Sequence, residues 1–165
     1  MRTLAGSIRD CTASDFDQMY RIVNLAAKAY EGVIPADRYH EPYMPVEELR
    51  REMKRMTFFG WEEGEGLVGV MGLEAVKGVS LVRHAYVLPA SQKRGIGARL
   101  LQHAKEVFAG ERLLVGTWAD AYWAVDFYKK HGFRLCPDKD SLLKKYWNVP
   151  ARQIETSVVL EFERG

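Results

Sequence analysis

The chain has only two cysteines, Cys11 and Cys136, and no Cys-x-x-Cys spacing. That argues against a disulfide framework, and with no secretory leader read at its start it points to free thiols in a reducing cytoplasm. No apolar run approaches the roughly twenty residues needed to cross a bilayer, so no membrane partner is expected. Nor does one sign of charge dominate. Twenty-four Lys and Arg against 22 Asp and Glu leave a formal charge of +2, spread along the chain, so no dense basic face exists for a nucleic acid. The four histidines and two cysteines lack ligand spacing, so no metal is expected. Internal repeats and low-complexity tracts are also missing.

What is present suits one domain over residues 1–165: at 47% hydrophobic residues, a chain of this size can build a full core without staples. Ile8 and its neighbours read as a short strand. Thr12 or Ser14 can cap a helix with Phe16, Met19, Val23, Ala26, Ala27 and Tyr30 on one face, stopped by Gly32. Pro45 opens a second helix, with Glu47 and Glu48 at its positive end and Lys54 and Arg55 at its negative end. Three strands follow, Phe58 to Glu62, Leu67 to Val76 and Val79 to Leu88, joined by turns short enough for a meander. Beyond them come a helix, a strand from Arg112 to Trp118, a helix from Tyr122 to His131 ended by Gly132, a strand from Phe133 to Cys136 and a last strand from Glu155 to Glu163. Lys139 to Asn148 has the makings of a short covering helix. The expected fold is α/β, with about seven mostly antiparallel strands flanked by about four helices.

The densest chemical signal lies between the third meander strand and the next helix. That helix carries Ile96, Leu100, Leu101, Ala104, Val107 and Phe108 on one stripe and Arg99, Gln102, Lys105 and Glu106 on the other. Gly95 and Gly97 let the backbone bend and a ligand approach it. The first turn adds unpaired N–H groups and a positive dipole end, reinforced by Lys93, Arg94 and Arg99. A pyrophosphate is the expected guest. A P-loop is excluded because no Gly-Lys-Ser or Gly-Lys-Thr occurs. A dinucleotide fingerprint is excluded by Leu100, which stands where a third small residue is required.

Gln92-Lys93-Arg94-Gly95-Ile96-Gly97, following Val87-Leu88-Pro89, resembles the coenzyme A loop of the GNAT superfamily of N-acetyltransferases. A second segment, from Trp118 to Phe133, is similar to the superfamily's next helix, in which a tyrosine precedes a Gly-Phe pair. The order of elements agrees along nearly the whole chain. Position by position, Tyr128 falls on the family's usual acid. An asparagine often found seven residues earlier is Ala121 here, which removes one amide contact to the cofactor.

The resemblance implies transfer of an acetyl group from acetyl-CoA to a primary amine of a small molecule or peptide, by direct attack. Residues Lys93 to Arg99, Ala98 included, would hold the pyrophosphate. Main-chain groups of Ala85, Tyr86 and Val87 would pair with the pantetheine arm as an extra strand, and one N–H there would stabilise an oxyanion. Tyr128 would donate to the departing thiolate. A phenol near pKa 10 facing a thiol near 8.5 gives its proton up uphill by about 2 kcal/mol, so hydrogen bonding or a lowered phenol pKa is the better expectation. The amine needs a base, and the imidazole of His84, on the strand entering the loop, is a candidate. Arg83 should face the opposite side of a regular strand, so both can line one cleft only through a bulge. His40, Glu41 and Glu74 are rivals to His84, whereas His103 and His131 read as structural.

The acceptor pocket is expected from Tyr30, His40, Tyr43, Arg83 and Trp118, with Tyr39, Tyr146 and Trp147 as further candidates. Trp123 and Phe127, one helical turn apart, read as core. Loop aromatics can equally form a homodimer interface. Two other functions stay open: a non-catalytic acyl-CoA sensor or scaffold, and transfer of a longer acyl group.

Overall fold

The computed structural model describes residues 5–162 of the 165, so the expected strand end at Glu163 lies outside the described residues. Seven strands form one sheet: β1 (Ser7–Asp10), β2 (Thr57–Glu63), β3 (Gly66–Val76), β4 (Val79–Val87), β5 (Leu113–Trp118), β6 (Phe133–Leu135) and β7 (Ser157–Phe162). Their order is β1-β2-β3-β4-β5-β7-β6. All neighbours run antiparallel except β4 and β5, which run parallel.

Six α-helices cover the sheet among the described residues, not four: α1 (Phe16–Ala26), α2 (Val46–Arg55), α3 (Ile96–Val107), α4 (Tyr122–Lys130), α5 (Lys139–Tyr146) and α6 (Ala151–Glu155). The last of these takes in Glu155, where the sequence predicts the start of the final strand, because Pro150 provides a start for a further turn.

Side-chain alternation along the strands divides the core by face. Phe58 and Val70 pack under α1 and α2, and Leu81, Leu114 and Val159 pack under α5 and α6. Their strand neighbours Phe59, Met71, Val82, Leu113, Val115 and Leu160 pack on the other face against α3 and α4. Each fully buried Leu, Ile or Phe in these layers contributes about 1.5–3 kcal/mol, so the two-sided sheet supplies most of the stability. The stripe on α3 is buried as expected at Ile96, Leu100, Leu101 and Ala104, but Val107 is 51% exposed. The helix stops there: Phe108 takes an extended conformation and turns into the core in its place.

At the start of the chain Arg9 on β1 ties three elements together. Its guanidinium lies 2.9 Å from Asp15, in the turn before α1, and 2.9 Å from Glu62 on β2. Asp15 also accepts the backbone N–H of Thr12 at 2.7 Å, closing the entry to α1.

Candidate active site

The glycine loop is built by a chain that leaves β4 through one 3-10 turn, Pro89–Ser91, and enters α3 at Gly95. Gly95 has φ of 88°, left-handed geometry that costs a glycine nothing, and Lys93 is also left-handed at φ 63°. The end of β4 is clasped by Gln92, whose Nε2 donates to the carbonyl of Val87 at 3.0 Å. A Cβ placed on Gly97 would lie 3.5 Å from the ring of Phe127, an ordinary contact. Glycine at this position leaves the backbone of the first turn of α3 bare, so that its N–H groups suit a pyrophosphate held close to the main chain.

From this cradle a cleft of about 880 Å³ runs between β4 and β5. These parallel strands pair only from Ser80 to Val82 against Leu113 to Val115. Beyond that point the edge of Arg83 to Val87 that faces β5 has no pairing strand among the described residues. Backbone donors and acceptors on such an edge suit an extended, amide-bearing arm.

At the head of the splay β4 carries a bulge. Gly72 pairs with Arg83 and Val70 with Tyr86, so His84 and Ala85 together stand opposite Met71. His84 takes φ of 53° to accommodate the extra residue. The bulge reverses the simple expectation for a regular strand: Arg83 and His84 both turn toward α2. Nε2 of His84 lies 2.8 Å from Oε1 of Glu52, Arg83 lies 3.5 Å from the same oxygen, and the His84 ring stacks on Phe58 at 6.0 Å between centroids. Both residues line the cleft.

Glu52 is the functional candidate that sequence reasoning did not single out. It is 7% exposed and also pairs with Arg55 at 2.8 Å. Burial pushes its carboxyl up, but the hydrogen bond with His84 and the charges of His84, Arg83 and Arg55 outweigh it and hold it below its ordinary range. Glu74 on β3 completes the network, 3.0 Å from Arg55 and 2.8 Å from Arg83. Glu74 is thereby occupied with two guanidiniums. The sequence held a faint signal for Glu52: three residues separate it from Leu49, on the buried side of α2.

Tyr128, on α4, lines the cleft and is 6% exposed, packed edge-on against Phe127 and Phe133. Burial, with a smaller effect from Tyr30, pushes its phenol well above the ordinary value. Of the two expectations for Tyr128, this favours a protonated hydrogen-bond donor over a phenol of lowered pKa. Opposite it stands an aromatic cluster. Tyr30 packs against Tyr43 at 5.4 Å, Trp123 at 6.0 Å and Tyr86 at 6.4 Å. Burial raises the phenols of Tyr30, to about 12, of Tyr43 and of Tyr86, so all are neutral donors.

Most of the expected site residues meet here. Ala85, Tyr86, Val87, Gln92, Lys93, Gly95, Ile96, Gly97 and Ala98 line the cleft, together with Tyr30, Tyr43, Arg83 and Trp118. Three stand apart from the lining. Arg94 reaches away to Glu63, with Nη2 2.6 Å from Oε2, and Arg99 is exposed on the outer side of α3. His40 is exposed, its Nδ1 2.8 Å from the carbonyl of Pro42, and stacks behind Tyr43. Glu41 beside it is exposed and accepts from Tyr39. Trp123 and Phe127 were expected in the core, but both line the cleft, and Trp123 is 48% exposed. Their spacing does place them on one helix face; that face looks into the splay. His103 is structural, edge-on to Phe59 at 4.6 Å, whereas His131 joins the lining. Ala121, at the asparagine position, is fully buried. Among the described residues no cluster of three or more metal-ligating side chains occurs, and no helix is long and apolar enough to cross a membrane.

No curated protein sequence matches the chain significantly. Solved structures do match in fold. The PaiA N-acetyltransferase of Thermoplasma acidophilum, in complex with coenzyme A, superposes with a TM-score of 0.75 at 17% identity, covering 98% of this chain and 100% of its own. A GNAT family acetyltransferase of Elizabethkingia anophelis with acetyl-CoA bound gives 0.64 at 18% identity over 98% and 100%. The ribosomal-protein-S18-alanine N-acetyltransferase of Escherichia coli gives 0.66 at 15% identity over 97% and 96%. In sequence, residues 54–135 match the acetyltransferase (GNAT) domain family, a segment that runs from the end of α2 through the bulge, the glycine loop and α4 to β6. Since that matched segment contains the splay and the cradle themselves, the chain belongs to the GNAT family and is an N-acetyltransferase.

Proposed function

We propose that the protein transfers the acetyl group of acetyl-CoA to a primary amine by direct attack within the β4–β5 splay. The observation that carries this reading is the joining of the Gly95–Gly97 cradle to Tyr128 and His84 by one cleft. Acetyl-CoA supplies the activated thioester. The chain's own residues bind and orient it: backbone N–H groups at the start of α3 and the ammonium of Lys93 take the pyrophosphate, and the free edge of Ala85 to Val87 pairs with the amide-bearing arm. With Ala121 replacing an amide side chain, that backbone edge carries more of the alignment.

An amine reaches the enzyme largely as an ammonium, since a lysine-like amine has a pKa near 10.4, and must lose a proton before attacking. His84 takes that proton, directly or through one water. Glu52, bonded to Nε2, fixes the ring and stabilises the cation that forms, leaving Nδ1 as the acceptor. As the C–S bond breaks, Tyr128 keeps its proton and donates a hydrogen bond to the departing sulfur, and the proton shed by the attacking nitrogen as the amide forms passes to that thiolate through water.

Incubation of the purified protein with acetyl-CoA and a panel of amines, followed by release of free thiol, tests this function. Amine-dependent thiol release is expected. Cofactor binding with no turnover on any amine would identify an acyl-CoA-binding sensor or scaffold instead.

A further inference from the structure

The lining of the cleft bears on which amine it accepts. Among the described residues no Asp or Glu lines the cleft. Glu52 and Glu74 are turned into pairs with Arg55, Arg83 and His84, and Glu48, whose charge reaches Tyr43, is also absent from the lining. The charged lining of the cleft is basic only, Arg83, Lys93 and Lys130, and the rest of the acceptor side is an aromatic wall. Along α4, Phe127 lies beside Gly97 at the cradle, and Trp123, one turn earlier, lies against Tyr30 at the far end. Trp123 keeps 48% of its surface exposed although it is large and apolar, and Tyr43 extends the wall behind Tyr30.

We infer that the acceptor is a primary amine carrying a single positive charge on an aromatic or similarly flat apolar body, and that Trp123 and Tyr30 select it. The aromatic faces attract one ammonium and cover an apolar body. A second or third ammonium would lose water here with no carboxylate to meet it, which is unfavourable in a partly enclosed site. Polyamines and aminoglycosides are therefore poor acceptors. The inference rests on the acetyl-transfer reading for its reaction, but the pocket's preference can be measured without turnover.

Two measurements test it, using 2-phenylethylamine, n-butylamine and spermidine as probes. In thiol-release kinetics with saturating acetyl-CoA, kcat/KM for phenylethylamine is expected to exceed that for spermidine about 100-fold and that for butylamine about tenfold. Trp123→Ala should raise KM for phenylethylamine about tenfold while kcat and KM for acetyl-CoA stay within about twofold, and Trp123→Phe should recover most of the loss. Calorimetric binding of the same amines to the CoA complex should give the same order. Ordered binding without turnover would uphold the pocket and overturn the transferase. A preference for spermidine, or a Trp123→Ala variant with unchanged KM and unchanged binding, would overturn the inference and leave acetyl transfer standing.

Discussion

His84 and Glu52 meet at 2.8 Å across the space between β4 and α2, with the histidine in a left-handed bulge and the carboxylate 7% exposed. A regular β4 would send His84 to the opposite face, toward α3, where no acidic partner waits. The bulge therefore does two things with one extra residue: it pairs the imidazole with a buried carboxylate and it frees the strand edge beside it.

If His84 removes the amine's proton, His84→Ala lowers kcat about 100-fold near pH 7. The deficit shrinks as pH rises toward the amine's own pKa, because the free amine no longer needs a base. Glu52→Gln, which keeps an acceptor but removes the charge, should lower kcat about tenfold with KM for acetyl-CoA unchanged. Rate profiles from about pH 6.5 to 9.5 check both, with melting temperatures reporting on the fold. A constant His84→Ala deficit across that range would assign the histidine a structural role.

Tyr128→Phe removes one hydroxyl from a packed site and leaves the ring contacts with Phe127 and Phe133 in place. CoA affinity is expected to hold within about twofold while kcat falls about 10- to 100-fold. Calorimetry for binding and thiol release for turnover separate the two effects. Unchanged turnover would sink the role as donor to sulfur.

A Cβ on Gly97 would make ordinary contacts, 3.5 Å to the Phe127 ring and 4.0 Å to Val87, so Gly97→Val should fold with little change in melting temperature. The added methyl groups occupy the space over the first turn of α3, and CoA affinity should fall about tenfold or more. A well-folded variant with undiminished affinity would make the loop a helix start and nothing further.

Asp15 offers a pH test of stability away from the cleft. The hydrogen bonds from Arg9, against an opposing cost of burial, hold its carboxyl down from 3.8 to about 2. A depressed folded-state pKa means the contribution is fully present above the unfolded value near 3.8 and is lost as pH falls through about 2. Asp15→Asn should therefore cost about 1–2 kcal/mol at neutral pH, and the gap from the parent should close toward pH 2. Denaturant midpoints at several pH values measure it; a gap that stays constant would exclude the linkage.

Much of the architecture was legible because its signals are local. Phe58-Phe59, Val70-Met71 and Leu81-Val82 are adjacent apolar pairs, and unbroken apolar runs of this kind suit strands buried on both faces. The stripe on α3 and the glycines before it announce a helix with an open first turn. Val107 and Trp123 show where local periodicity stops informing: each lies on the apolar face of its helix, but what that face meets depends on where the helix ends and how the strands beneath it diverge.

What the sequence determined by itself was the order of elements and a glycine loop from Gln92 to Gly97 ahead of a helix, since these follow from residue types at short spacing. A coenzyme A role for the loop and an acid role for Tyr128 are what the resemblance to the GNAT superfamily implies. Tertiary structure alone decided which of the scattered aromatic and charged side chains share the cleft. Tyr30 and Tyr43 around the α1–α2 connection and Trp123 on α4 are brought together across the gap between β4 and β5 and line one volume. The bulge at His84 sets that imidazole on the same lining with Glu52 of α2 behind it. Convergence of that kind is set by how strands separate in space, and no spacing along the chain encodes it.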